Sequence, residues 1–116
     1  MKSQDAHRRS APGSTHQDCL ALPEATRRIS GLHAGFLVRN KHFAYYLNDH
    51  HGDGVVSCAC KALPGDNEAL VARDGIRLYL PAYIGPRGWV AMRLDLAKIN
   101  WSTVANLVAV SYQLVA

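Results

Sequence analysis

No stretch of this 116-residue chain holds the roughly 18 consecutive apolar residues that a bilayer-spanning helix needs, so no membrane crossing is expected. The opening MKSQDAHRRSAPGSTH leads into no apolar segment, which sets aside a secretory signal. Cysteine is scarce: Cys19, Cys58 and Cys60 are odd in number and not spaced as a disulfide framework. A reducing, cytoplasmic setting is the expectation. Catalytic signatures are missing too. There is no G-x-S-x-G, no glycine-rich phosphate loop and no H-E-x-x-H, so neither an enzyme nor a bound cofactor is expected. Acidic residues are fewer than basic ones, 9 against 13, giving a net charge of +4. Half of that excess comes from Lys2, Arg8 and Arg9 set against Asp5 in the opening segment. The remainder of the chain is nearly balanced, which weakens a nucleic-acid reading drawn from charge alone.

What is present reads as one globular domain, 48% apolar and 19% charged. Residues 1–13 form a polar tail, expected to be disordered, and residues 14–116 the folded domain. Ser14-x-x-Gln17 has capping-box spacing and predicts a short helix over Thr15–Leu22, stopped by Pro23. Glu24–Ser30 reads as a charged edge strand. Leu32–Arg39 and His42–Leu47 flank an Asn40-Lys41 turn and predict a hairpin, with Phe43, Tyr45 and Leu47 on one face. Val55–Lys61 is a strand that puts Val56, Cys58 and Cys60 on one side. Asp66 is placed to cap a helix over Asn67–Arg73. Ile76, Leu78 and Leu80 predict the next strand, and Gly88–Leu94 another, with Val90, Met92 and Leu94 inward. Asn100 caps a final helix whose apolar stripe runs through Trp101, Val104, Val108, Ser111 and Val115. Short links between strands imply an α+β class: a compact single domain, its largely antiparallel sheet carrying helices on one face.

Two clusters could suggest metal chemistry. His50-His51-Gly52-Asp53 offers two imidazoles and a carboxylate, but neighbouring histidines in a loop seldom converge on one ion without further ligands. It is read as a polar turn. Cys58-x-Cys60 lacks the second pair a zinc site requires, and buried thiols behave as small hydrophobes. No metal is expected.

The stretch PAYIGPRGWVAMRLD, Pro81 to Asp95, gathers aromatic rings, arginines and turn-formers. Trp89, Ala91 and Arg93 fall opposite the inward residues of their strand, and Arg77 and Tyr79 opposite theirs. With Tyr83 and Arg87 from the connection, and Lys41 and Lys61 beside them, they form a candidate basic–aromatic surface. Rings would stack on bases or on a partner's side chains while cations met phosphates. The plainer alternative is that Trp89 and Tyr83 pack the second face of the sheet beneath arginine stems.

Across about Leu20 to Ala116 the chain resembles the MmcQ/YjbR family of small bacterial proteins. The resemblance is carried by Leu22-Pro23-Glu24, by His33 with Phe36, Val38, Lys41 and Phe43-Ala44, and by Cys60-Lys61. Pro81-x-Tyr83-x-Gly85, Gly88-Trp89-Val90, Leu94-Asp95, Trp101 and Ser111-Tyr112 complete it. It implies a fold similar to that of CyaY (frataxin), also described as a double wing, and a DNA-binding label that rests mainly on shape. It carries over no catalytic residues. Frataxin-type iron binding uses an acidic first helix, whereas this one offers only Asp18, with Glu24 beyond it. The expectation is therefore weak, largely sequence-independent DNA contact through Lys41, Lys61, Arg77, Arg87 and Arg93, with Trp89 and Tyr83 as stacking platforms. The alternatives are a protein-interaction adaptor on the same face and a small-ligand module beside the Pro81–Gly88 loop.

Overall fold

The computed structural model describes residues 13–49, 52 and 54–116. Of the tail expected over residues 1–13, residues 1–12 lie outside the described residues, as do His50, His51 and Asp53 of the expected polar turn. Helix α1 spans Gly13–Leu20, followed by strands β1 (Thr26–Ser30), β2 (His33–Val38), β3 (Lys41–Asn48) and β4 (Val56–Lys61). Helix α2 (Asp66–Arg73), the short strand β5 (Leu78–Tyr79), a 3₁₀ turn (Gly85–Arg87), strand β6 (Trp89–Arg93) and helix α3 (Trp101–Val115) complete the order. Six strands form one sheet in the order β1-β2-β3-β4-β6-β5, and every pairing is antiparallel. Each of the helices among the described residues contributes to the apolar layer on one side of it, through Cys19, Leu70 and Val71, and Val104 and Val108.

The hairpin between β2 and β3 turns on Arg39 and Asn40, both at positive φ (52° and 65°), with Val38 paired to Lys41. Two successive left-handed residues are what a two-residue turn needs to match the strand twist, and asparagine tolerates that conformation. The turn is thus one residue earlier than expected. The pairing also slips between Phe36 and Leu37: Phe36 faces Ala44 while Leu37 faces His42, leaving Phe43 as an extra residue. This bulge corrects the expected common face of Phe43, Tyr45 and Leu47. Phe43 is fully buried and meets Tyr112 of α3 edge-on, ring centroids 5.4 Å apart. Tyr45 and Leu47 instead pack on the opposite side of the sheet.

Three other expectations are adjusted. Helix α1 begins at Gly13, so Ser14 stands inside it rather than capping it, and it ends at Leu20. Its inward turn is made by Thr15 and Cys19, both fully buried. At α2 the cap position falls to Gly65 (φ 82°), and Asp66 opens the helix, where its charge and that of Glu68 favour the helix dipole. Strand β5 is only two residues long; Ile76 is 76% exposed because residues 75–77 form a turn, and Leu80 is exposed before Pro81. The end of the chain follows the expected pattern: the Asn100 side chain accepts from Thr103 N at 3.2 Å and caps α3.

One hydroxyl ties helix to sheet. Ser111, fully buried, donates to Phe43 O at 2.6 Å and accepts from Lys61 N at 2.8 Å. It satisfies groups at the ends of two neighbouring strands where α3 crosses them, which is why a polar residue sits on the apolar stripe.

Candidate nucleic-acid interface

The side of the sheet away from the helices is covered by its own side chains. Tyr45, Tyr79, Trp89 and Ile84 surround Ala59 and Ala91, whose small side chains are fully buried beneath the rings. Trp89 keeps only 8% of its surface exposed, tilted against Tyr45 with ring centroids 5.4 Å apart. It lies on the helix-free side, as the alternation requires, but its ring is packed into a second small core. The expected open tryptophan platform is therefore corrected, because neighbouring rings and Ile84 of the loop close over it. His42 stacks on Tyr45 at 4.7 Å and extends this aromatic layer toward β1. Gly35 leaves room for that ring: a Cβ there would sit 2.7 Å from His42 Nε2, so the imidazole would have to shift.

Tyr83 has the opposite fate. It is 80% exposed and adopts φ 69°. Ile84 N donates to Ala82 O at 2.8 Å, so Tyr83 is the centre of a γ-turn of the uncommon positive-φ kind. A bulky residue held there signals a constraint from its surroundings. The surroundings supply it: Gly85 N donates to Pro81 O at 2.8 Å. The buried Asn67 of α2 gives its amide to Gly85 O at 2.9 Å and Trp89 O at 3.1 Å. Gly85 is closely approached: a Cβ would lie 3.1 Å from that of Leu80, which would have to give by a few tenths of an ångström.

The five expected cations divide between two ends of the sheet. Arg93 pairs with Ser57 at the far end of β6, and its amide donates to Arg77 O at 2.8 Å. Both arginines have carboxylates in reach. Arg93 gives Asp95 two hydrogen bonds, 3.1 Å and 2.9 Å, which hold that carboxyl below the usual carboxylate range. Arg77 Nη1 lies 3.6 Å from Asp74 Oδ2. The other three gather at the opposite end. Lys41 opens β3, Lys61 closes β4 and is paired with Trp89 at the start of β6, and Arg87 ends the 3₁₀ turn one residue before that strand. Among the described residues no carboxylate pairs with Lys41, Lys61 or Arg87. Lys61 and Arg87 also line one cleft of about 500 Å³ between α2, the end of α3 and the Gly85–Gly88 turn.

Two further arginines belong to this description, and the residue reading passed over both. Arg39 is exposed beside Lys41 in the left-handed turn. Arg28, exposed on β1, is paired with Gly35 and close enough to His42 to lower its pKa, after burial. A signal for Arg39 existed in the dipeptide Arg39-Asn40, since a two-residue turn exposes both its members.

A family model described as YjbR matches residues 20–114. The chain belongs to the YjbR family. A search of curated proteins gave no match. Among solved structures it is similar to the crystal structure of Deinococcus radiodurans protein DR2400, whose family-model domain is DUF419. That likeness has a TM-score of 0.70 at 20% identity, covering 87% of this chain and 75% of the other. The YjbR match reaches from the last residue of α1 through nearly all of α3, so it takes in the whole sheet and every cation of the basic end. Among the described residues there is no helix long and apolar enough to cross a membrane, and no group of three His, Cys, Asp or Glu able to hold a metal ion.

Proposed function

We propose that this YjbR-family chain is a non-enzymatic, cytoplasmic DNA-binding module that makes weak, largely sequence-independent contact through one end of its sheet. The observation carrying this reading is the convergence of Lys41, Lys61 and Arg87, with Arg39, at that end, where no described carboxylate neutralises them. Such cations gain affinity by releasing counterions from the phosphate backbone, a term indifferent to base sequence. Tyr83, 80% exposed on a constrained turn, presents a ring on which a base could stack. Arg77 and Arg93 contribute less, because each would have to leave a carboxylate to meet a phosphate.

The test compares two variants in DNA titrations at low salt. Lys41→Ala/Lys61→Ala/Arg87→Ala abolishes measurable binding, whereas Arg77→Ala/Arg93→Ala retains most of it. Equal losses in the two would place the contact elsewhere. The adaptor alternative takes Tyr83 as its anchor, since an exposed, conformationally fixed tyrosine also suits a protein contact. A partner retained by wild type, lost with Tyr83→Ala and indifferent to the triple variant would favour it.

A further inference from the structure

We infer that the cleft lined by Lys61 and Arg87 is a phosphomonoester site, taking the terminal phosphate of a nucleotide or of a nucleic-acid strand. This rests on the reading of the basic sheet end as phosphate-facing, and it narrows the contact there from strand interior to strand terminus. The volume, about 500 Å³, is that of a small-molecule site. Two cations reach its lining from different elements, the end of β4 and the 3₁₀ turn before β6. A monoester carries about −1.5 to −2 charges near neutrality, whereas each internal diester carries one, so a terminal phosphate is the better match for a lysine and an arginine together. Arginine adds a planar fork able to grip two phosphate oxygens.

The rest of the lining narrows the ligand. Ala62, Pro64, Pro86 and Leu114 give apolar wall on which a flat ring can lie, and Glu68 is the acidic member. A carboxylate beside an anion site is tolerated when the ligand brings a hydrogen-bond donor to it, as the amino and hydroxyl groups of a nucleoside would. The walls are fixed in advance. Asn67, itself in the lining and 5% exposed, fastens Gly85 and Trp89 to the start of α2 through its amide. A preformed cleft loses little freedom on binding.

The experiment measures binding of a labelled 12-nucleotide single strand carrying either a 5′-phosphate or a 5′-hydroxyl to the full chain. It also titrates a nucleoside monophosphate by calorimetry. The phosphorylated strand is expected to bind about tenfold tighter, the scale of added charge-assisted hydrogen bonds. Lys61→Met and Arg87→Met bring the ratio close to one, while Lys41→Ala weakens both strands and preserves it. Arg87 is exposed and Lys61 only half-buried, so unchanged melting confirms that each variant is folded. Equal affinity of the two strands for wild type overturns the terminal site and leaves the basic-end reading intact. If neither strand binds at low salt, the basic-end reading falls. A mononucleotide signal lost in Arg87→Met then still supports the cleft, with free nucleotide as the source, and its absence overturns it.

Discussion

At the scale of single residues, Trp89 and Ser111 do structural work that their chemistry alone would not suggest. Trp89 looks like a docking ring, but it is the centre of the second core, so Trp89→Ala should cost about 3–5 kcal/mol in denaturant unfolding. A Trp89→Ala variant of wild-type stability that merely lost a ligand would contradict this packing. Ser111→Ala strands Phe43 O and Lys61 N beneath α3 and should cost about 1–3 kcal/mol, even though alanine suits a helix better. The three thiols are buried; burial, then Cys58, pushes the Cys19 thiol upward, while the hydrogen bond with Cys58, then burial, does the same for Cys60. Cys58 and Cys60 Sγ atoms lie 3.7 Å apart on the helix side of β4. Native protein should therefore be silent to a thiol reagent, and all three should react once it is denatured. The residue types of the basic surface were legible in the sequence; which rings stay open was not. Tyr83 and Trp89 are both aromatic and six residues apart, and only the positions of Tyr45 and Ile84 decide that one is covered and the other displayed.

Among the elements, the loop from Pro81 to Gly88 depends on α2. Asn67→Ala removes the donor to Gly85 O and Trp89 O, and hydrogen exchange of Gly85 and Trp89 amides should rise well above that of α3. Exchange in that loop left unchanged would show that its own turns suffice. Most of the elements could be placed from periodicity, because the alternation of Val56, Cys58 and Cys60, of Val90, Met92 and Leu94, and the α3 stripe each persist for several residues. Where the pattern is interrupted by a single inserted residue, reading fails. The bulge at Phe43 shifts half a strand to the other face, and no composition cue marks it, since phenylalanine and tyrosine serve either side equally. β5 is shorter than its pattern predicts for a related reason: Ile76, Leu78 and Leu80 alternate as a strand would, but Gly75 and Pro81 turn the chain at both ends.

For the molecule as a whole, acid and salt report on different groups. His16 and His42 are held below the usual imidazole value of 6.5, first by burial and then by Arg27 and Arg28 respectively. With the folded pKa lowered, the unfolded chain binds more protons, so this stability is fully present above 6.5 and is lost as pH falls through the folded values. Asp95, held low by the Arg93 hydrogen bonds, acts in the same sense further down, losing its contribution below the usual 3.8. The melting temperature should thus fall on acidification, and His42→Gln should flatten the first part of that fall. Salt probes the proposed contact instead. The two ion-paired arginines and the three cations with no described carboxylate partner lie at opposite ends of one sheet, so the account stands or falls on which end responds to phosphate. The most direct measurement is the dependence of DNA affinity on salt concentration. For three phosphate contacts the logarithm of the binding constant should fall with a slope near −0.9 per contact on duplex DNA, hence about −2.7, and removing Lys41, Lys61 and Arg87 should abolish it. No binding at low salt, or a slope unchanged in that triple variant, would contradict the account.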